Sequence, residues 1–179
     1  MRSSFLIDLA FKHHTLELID DNELGERVRI ILWLYHGNSS TMDPRGEPER
    51  KNTSSPDDAT IMLESISSEN EIHDPFSQIT FQKNWIFTKQ DPGPYPSIPY
   101  AHKSNQNNSW PKLNPFTGRV FEQKAIEECS KRLTKEEMKK LWDNDIFLQF
   151  CINYLKWYST LYLKHKFPVK HMFLFSKWN

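Results

Sequence analysis

The segment 95–119 alternates aromatic and cationic side chains along a proline-rich chain. Six of the eleven prolines lie between residues 91 and 115, and each fixes φ and removes a backbone donor. Aromatic rings stack on nucleic-acid bases while cations contact phosphates, and the same composition suits a protein-binding loop with a tryptophan anchor. In a third interpretation, Trp110 and Phe116 cover the core as a lid. The residues that could contact a ligand are Tyr95, Tyr100, His102, Lys103, Trp110, Lys112, Phe116 and Arg119.

A triplet typical of metal-dependent nucleases follows this segment. In such enzymes carboxylates hold Mg²⁺ and a lysine stabilises the phosphate. Glu122 and Lys124 belong to a Glu-Gln-Lys triplet, and Asp74 or Asp91 could supply the upstream carboxylate. Triplets of this kind also arise by chance, and Glu122 equally suits the acidic first turn of a helix. A Mg²⁺-dependent nuclease or other hydrolase is therefore an alternative.

The spacing of histidines, cysteines and glycines indicates no cofactor. The seven histidines include no His-x3-His or His-Glu-x-x-His arrangement, which helical metal sites require. Cys129 and Cys151 form no Cys-x-x-Cys pair. The five glycines form no phosphate-binding loop, and no Gly-x-Ser-x-Gly elbow occurs. We predict no cofactor, with Mg²⁺ kept for the nuclease alternative, and we interpret Cys151 as a small buried hydrophobe.

The elements that must position these residues begin with the stretch 134–166. Its apolar residues recur at spacings of three and four, which predicts a buried helical face. Thr134 and Glu137 match a capping box. Asp143, Asn144 and Asp145 favour helix caps over helix interiors, so they predict a break into a short helix and a longer one.

Upstream of this stretch the pattern favours strands, at 5–11, 15–19, 27–35, 60–66 and 78–88. A helix over 23–35 competes with the third of these strands because the run is long enough for three turns. Turn chemistry at 114–118 predicts a hairpin that pairs 110–113 with 119–121, and residues 122–131 are predicted to be helical. Two loops complete the chain: a mobile loop at 37–59, which has little to bury, and a proline-rich loop at 91–115.

Together these elements predict a single α+β domain over residues 1–179. A small antiparallel sheet in the N-terminal two-thirds packs against C-terminal helices. Residues 1–100 carry 9 Lys and Arg against 16 Asp and Glu, whereas residues 101–179 carry 14 against 7. This asymmetry favours packing of the two halves on each other, and a basic surface that faces a partner is the alternative.

The sequence also predicts a compartment and a class of function. No run of about 18 apolar residues occurs, and the N-terminus lacks the cleavage site of a signal peptide. We therefore expect a soluble, cytoplasmic protein that makes no membrane contact. Catalytic spacing is absent while aromatic, proline-stiffened loops suit recognition, so we predict a non-enzymatic binding protein of the adaptor, inhibitor or immunity kind, whose partner is another protein. Single-stranded nucleic-acid binding and the metal-dependent hydrolase are the alternatives.

Overall fold

The computed structural model describes residues 2–37, 42–46, 78–82, 85–88, 95–105 and 107–162, without the side chains of residues 161 and 162. These residues form an α+β fold of helices and one antiparallel sheet, which confirms the predicted fold class. The predicted strand at 60–66 and most of the predicted loop at 37–59 lie outside the described residues. Among the described helices, none is both long enough and apolar enough to cross a membrane.

The chain begins with two helices where strands were predicted. Helix α1 spans Arg2–Thr15 and helix α2 spans Asp21–Tyr35, so the strands at 5–11, 15–19 and 27–35 are wrong and the competing helix over 23–35 is right. The buried positions recur every three or four residues, as a helix requires and a strand does not. The Asp20 carboxylate caps α2 by accepting from the Glu23 amide at 2.8 Å. The buried residues are Leu6, Leu9, Ala10 and His13 in α1, and Arg27, Ile30, Ile31 and Leu34 in α2.

The sheet is a meander in which each strand pairs antiparallel with the next along the chain. The strands β1 to β6 are, in order, Gln78–Phe81, Trp85–Thr88, Ala101–Lys103, Lys112–Leu113, Val120–Gln123 and Ile126–Glu127. Their order in the sheet is the same as in the chain, and the predicted hairpin is confirmed because Leu113 in β4 pairs with Val120 in β5. The predicted strand over 78–88 is two strands, β1 and β2, which pair antiparallel with Phe81 opposite Trp85.

The prediction of a helix over 122–131 is wrong. Ala125 adopts a left-handed conformation, with φ of 64°, and this reverses the chain from β5 into β6. A short 3-10 helix then spans Cys129–Lys131. Local turn geometry thus overrides the modest helix propensity of this stretch.

The two faces of the sheet have different compositions because side chains alternate along each strand. One row of paired residues faces the helices, and four of its five members, Phe87, Ala101, Leu113 and Val120, are fully buried. The neighbouring row lies on the opposite face, which we call the outer face. It contains Thr80, Ile86, His102, Lys112, Phe121 and Glu127.

The C-terminal helices supply half of the buried aromatic side chains of the described residues, and the sequence predicts both helices. Helix α3 spans Lys135–Trp142 behind a complete capping box, and helix α4 spans Asp145–Tyr162. The break between them falls at the predicted Asp-Asn-Asp triplet over 143–145, where the Asn144 side chain accepts from the amides of Ile146 and Phe147. The rings of Trp142 and Phe147 lie 5.0 Å apart, and Trp142 donates its indole N–H to the Pro115 carbonyl at 3.0 Å.

Two arginines fix the segment 42–46 to the body: the buried Arg45 of the segment itself, and Arg132, which donates to the Gly46 carbonyl at 2.9 Å. Arg45 Nη1 donates to the carbonyls of Thr117 at 3.2 Å and Leu133 at 2.9 Å. Gly118 lies directly beneath it with φ of +67°, and a Cβ there would lie 2.6 Å from Met138 Sδ and 2.7 Å from Arg45 Nη1. Only glycine tolerates both that dihedral angle and that approach.

We therefore predict that Gly118→Ala lowers the free energy of unfolding by about 1–3 kcal/mol, from the strained backbone together with displacement of Arg45 and Met138. Urea denaturation followed by circular dichroism measures the change. Gly25→Ala is the matched control, because Gly25 lies inside α2 with no atom within 4 Å of the added Cβ. That variant should gain about 0.5–1 kcal/mol, and equal stability of the two variants would contradict the prediction.

Candidate functional site

Five of the eight residues singled out as ligand contacts lie on the outer face of the sheet or pack against side chains of that face. His102 and Lys112 belong to the outer row, and Tyr100 and Trp110 lie two residues from them along the chain. Tyr95 packs against Trp110 and against Phe121, another member of the outer row. The sequence analysis missed Phe121, although its place beside Val120 in the correctly predicted hairpin puts it opposite the core.

On this face the ring of Tyr95 contacts two other aromatic rings edge to face. The ring centroids of Tyr95 and Trp110 lie 6.1 Å apart, and those of Tyr95 and Phe121 lie 5.4 Å apart. The Ala125 amide donates to the Tyr95 hydroxyl at 2.7 Å, which fixes the tyrosine over the β5–β6 turn. All three rings remain partly exposed. We call Tyr95, Trp110, Phe121 and the adjacent Lys112 the aromatic patch.

Lys112 lies against two of the predicted aromatic residues. Its ammonium nitrogen is 4.1 Å from the centroid of Tyr100 and 5.3 Å from that of Trp110, within the range of a cation–π contact. It also donates to the Tyr100 hydroxyl at 3.1 Å. Tyr100 and His102 are buried, with 3% and 4% of their surface exposed, so they position Lys112 rather than present a surface of their own.

The other predicted residues do not join the aromatic patch. Phe116 lies in the core, where the Arg27 guanidinium lies 3.9 Å from its ring centroid. Lys103 points to the helix-facing side, with its ammonium 5.1 Å from the Trp85 ring. Arg119 lies beside the patch at the start of β5, on the wall of an open cleft.

This cleft has a volume of about 500 Å³ and separates α2 from the aromatic patch. Tyr95 and Phe121 line it on one side, so the cleft and the patch are continuous. Asn114 and Thr117, which belong to the turn between β4 and β5, also line the cleft. We call this space the polar cleft, and its α2 wall consists of Asp20, Asn22, Glu23, Glu26 and Arg29.

Ion pairs hold the two walls of the polar cleft together. Arg119 donates through Nε and Nη2 to Glu26 at 2.9 and 2.6 Å, and through Nη1 to Glu127. Burial alone would lower the pKa of Arg119, but its bonds to the two carboxylates raise it overall. Glu127 also accepts from Arg132. Because Glu26 and Arg119 lie 93 residues apart in the sequence, no local pattern could reveal this pairing.

The turn below the cleft is positioned by Asn114. Its side-chain nitrogen donates to the Pro96 carbonyl at 3.1 Å, and its oxygen accepts from the amides of Phe116 and Thr117. These bonds tie the proline-rich segment 95–100 to the turn that precedes Arg119. The Asn114 side chain at the floor of the cleft therefore has hydrogen-bond partners within the protein. The exposed polar groups of the cleft lie on its α2 wall.

The residues of the nuclease alternative are not brought together in the part of the chain that the structure describes. The Glu122 carboxylate accepts from Lys131, and Lys124 is exposed in the β5–β6 turn. Asp74 and Asp91 lie outside the described residues. Within the described ranges no group of three or more His, Cys, Asp or Glu could hold a metal ion.

A buried polar network lies beneath the turn, and no pattern in the sequence indicates it. Arg27, 1% exposed, donates to the Glu23 carboxylate at 2.6 Å and to His13 Nδ1 at 3.0 Å. An arginine only donates, so His13 is neutral with its proton on Nε2. Burial and then the Arg27 charge hold the pKa of His13 well below its ordinary value. Burial likewise raises the pKa of the Cys151 thiol, which keeps it protonated and unreactive.

Comparisons of the chain with protein-family models, with curated proteins and with solved structures find no match.

The His13 network predicts a loss of stability on acidification. In the unfolded chain the pKa of His13 is near its ordinary value of 6.5, and in the folded chain it lies well below that value. Between these two values the unfolded state binds the additional proton, so the free energy of unfolding falls as pH drops below 6.5, by up to about 1.4 kcal/mol per pH unit. Urea denaturation of the wild type and of His13→Gln at several pH values measures this difference.

The His13→Gln variant should have the flatter dependence, because its side-chain oxygen can still accept from Arg27 without titrating in this range. His14→Gln is the control, since His14 is only half-buried and its Nε2 lies 2.7 Å from Asp21 Oδ1. Parallel curves for His13→Gln and the wild type would show that His13 does not cause the loss.

Proposed function

We propose that this protein binds another protein through the aromatic patch, with the polar cleft as part of the contact surface. The observation that carries the proposal is the edge-to-face cluster of Tyr95, Trp110 and Phe121, which stays partly exposed beside an open cleft of about 500 Å³. Partly exposed tryptophan and tyrosine side chains in fixed positions are the residues that most often dominate binding energy at protein interfaces.

The fixed geometry of the patch supports this role. A side chain that is already immobilised loses little rotamer freedom when a partner binds, which lowers the entropic cost of association. Tyr95 is held by the Ala125 amide, and Lys112 is held by the Tyr100 hydroxyl and two rings. The patch is therefore preorganised in the free protein.

The charge beside the patch favours a protein over a nucleic acid. Residues 16–26 contain five Asp and Glu and no Lys or Arg, and three of these carboxylates line the polar cleft. Binding of single-stranded nucleic acid depends on cations that follow the phosphates. Arg27 and Arg119 neutralise Glu23 and Glu26, so the carboxylates that would repel a phosphate backbone are Asp20 in the cleft and Glu17 in the turn before it.

The two free cysteines favour a reducing cellular compartment. Cys129 and Cys151 are unpaired thiols, and thiols persist in reducing compartments. We accordingly propose the cytoplasm as the site of action.

Replacement of Trp110 by alanine tests the binding surface. We expect Trp110→Ala to weaken partner binding at least about 30-fold, as for the loss of a central aromatic anchor, while the melting temperature falls by only a few degrees. The measurement is capture of the tagged protein's partner from a nuclease-treated lysate of the source cells, followed by titration of the purified partner.

Trp157→Ala is the matched control, because Trp157 is also partly exposed but packs on Tyr154 in α4, away from the patch. It should bind like the wild type. Equal capture by Trp110→Ala and the wild type, or recovery of nucleic acid alone when nuclease is omitted, would refute the proposal. A large fall in melting temperature would show that Trp110 serves the core instead.

A further inference from the structure

The segment 42–46 inserts one buried side chain into the rest of the fold. The Arg45 side chain is 3% exposed, whereas Met42 and Gly46 are exposed and Asp43 and Pro44 are only partly covered. A single deeply inserted side chain on an otherwise open segment is typical of a peptide that is anchored in a binding site. The segment therefore contacts the body much as a short peptide ligand contacts its receptor.

The pocket around Arg45 is suited to a guanidinium group. Arg45 Nη1 donates to the carbonyls of Thr117 and Leu133, and the guanidinium carbon lies 5.2 Å from the centroid of the Trp33 ring. Gly118 leaves the space that Nη1 occupies, because a Cβ there would lie 2.7 Å from that atom. A guanidinium carries its N–H donors in a planar fork and stacks on aromatic faces, so the shape and the chemistry of the pocket both fit it.

Hydrogen bonds outside the segment 42–46 hold this pocket in shape. The Gly118 amide donates to the Asn114 carbonyl at 2.8 Å, and the Leu133 amide donates to the Gly118 carbonyl at 2.9 Å. The Asn114 side chain also accepts from the amides of Phe116 and Thr117. The two carbonyls that accept from Arg45 are thus positioned by the turn over 114–118 and its contact with Leu133. The pocket should therefore persist when Arg45 is absent.

The segment 42–46 carries its own turn and its own counter-ion. Asp43, Pro44 and Gly46 occupy the positions that the commonest β-turn favours for these residue types, and the Gly46 amide donates to the Asp43 carbonyl at 3.1 Å. The Asp43 carboxylate accepts from the Arg45 amide and pairs with the Arg45 guanidinium at 2.6 Å. Of the carboxylates in the described ranges, only that of Asp43 forms an ion pair with Arg45. The charge that enters the pocket is therefore already neutralised within the segment.

We propose that the pocket formed by Trp33, Thr117, Gly118 and Leu133 is a guanidinium-binding site, which the segment 42–46 occupies as an exchangeable ligand of the same chain. The ligand class is an arginine presented beside a carboxylate in a tight turn. An arginine presented in this way by another protein chain competes with Arg45 for the site. The pocket shares no residue with the aromatic patch, so this inference does not depend on the proposed function.

Arg45→Ala removes the anchoring side chain and tests whether the site remains. Methylguanidinium chloride at about 20 mM should raise the melting temperature of this variant by about 2 °C or more, because a ligand that binds only the folded state stabilises it. If Arg45→Ala alone does not fold, the same ligand should restore folding. The wild type should not respond, since Arg45 fills its site. Methylammonium chloride is the matched control ligand, because it carries the charge without the planar fork.

A blocked peptide with the sequence of residues 42–46, Met-Asp-Pro-Arg-Gly, tests ligand exchange. It should bind Arg45→Ala saturably, with shifts of the Gly118 and Leu133 amide signals in the isotope-labelled protein. The wild type should bind it at least about tenfold more weakly, because its tethered segment competes at a high effective concentration. The Arg45→Ala form of the peptide should not bind, and its Asp43→Asn form should bind several-fold more weakly for lack of the counter-ion.

Two further variants control for unspecific effects of methylguanidinium. Arg2→Ala removes an arginine that pairs with Asp145 at the start of α4, and its melting temperature should not respond. Gly118→Ala combined with Arg45→Ala should lose the response, since the added Cβ takes the space of the guanidinium.

The inference is overturned if either methylguanidinium or the peptide fails to act on Arg45→Ala. It is also overturned if methylammonium acts as well as methylguanidinium, or if the wild type and Arg45→Ala bind the peptide equally. Those results would show that Arg45 is an ordinary part of the core and that no separate site exists for its side chain.

Discussion

The guanidinium of Arg27 lies at the point where the N-terminal helices meet the turn that follows β4. It contacts His13 of α1, Glu23 of its own helix and the ring of Phe116 in that turn. Burial lowers its pKa, and the neighbouring Glu23 carboxylate opposes that change, so the charge is retained in the core only because it is paired. Removal of one partner would leave a buried charge uncompensated, which makes the orientation of α1 and α2 on the rest of the fold depend on this group.

The candidate site depends on the same constraint through a short chain of contacts. Phe116 and Asn114 fix the turn over 114–118, and this turn places Arg119 immediately before β5. Arg119 then holds Glu26 of α2, so the width of the polar cleft is set by the same helix that Arg27 anchors. The aromatic patch follows from the sheet instead. Once Leu113 and Val120 occupy the core, their neighbours Lys112 and Phe121 must lie on the other face.

The sequence was most informative where one local signal fixed the structure. The capping box at Thr134, the acidic break near Asn144 and the hairpin turn before Arg119 all depend on residues within a few positions of one another. Short apolar runs are ambiguous, and the strand predictions in α1 and α2 are wrong because runs of five to nine residues fit both periods. Residues 78–88 illustrate a different limit. Phe81 and Trp85 share one face in a straight strand and also in a hairpin, so alternation alone cannot reveal the reversal.

The candidate site was only partly accessible from the sequence. Tyr95, Trp110 and Lys112 were found from composition and lie together, whereas Lys103 and Phe116 belong to the other side of the sheet. The acidic wall of the cleft comes from α2, far away in sequence, and only tertiary packing brings it beside Phe121. Arg27 and His13 were missed because a buried charged network has no periodic signature.

The long separation between the walls of the cleft has a consequence for folding. Each strand pairs with its neighbour in sequence, so the sheet can form hairpin by hairpin with small loop-closure entropy. The pairing of Glu26 with Arg119 closes a far longer loop. The cleft should therefore be completed late, when α1 and α2 dock, and a molecule that binds across it would stabilise the docked state over any species in which the helices are still detached.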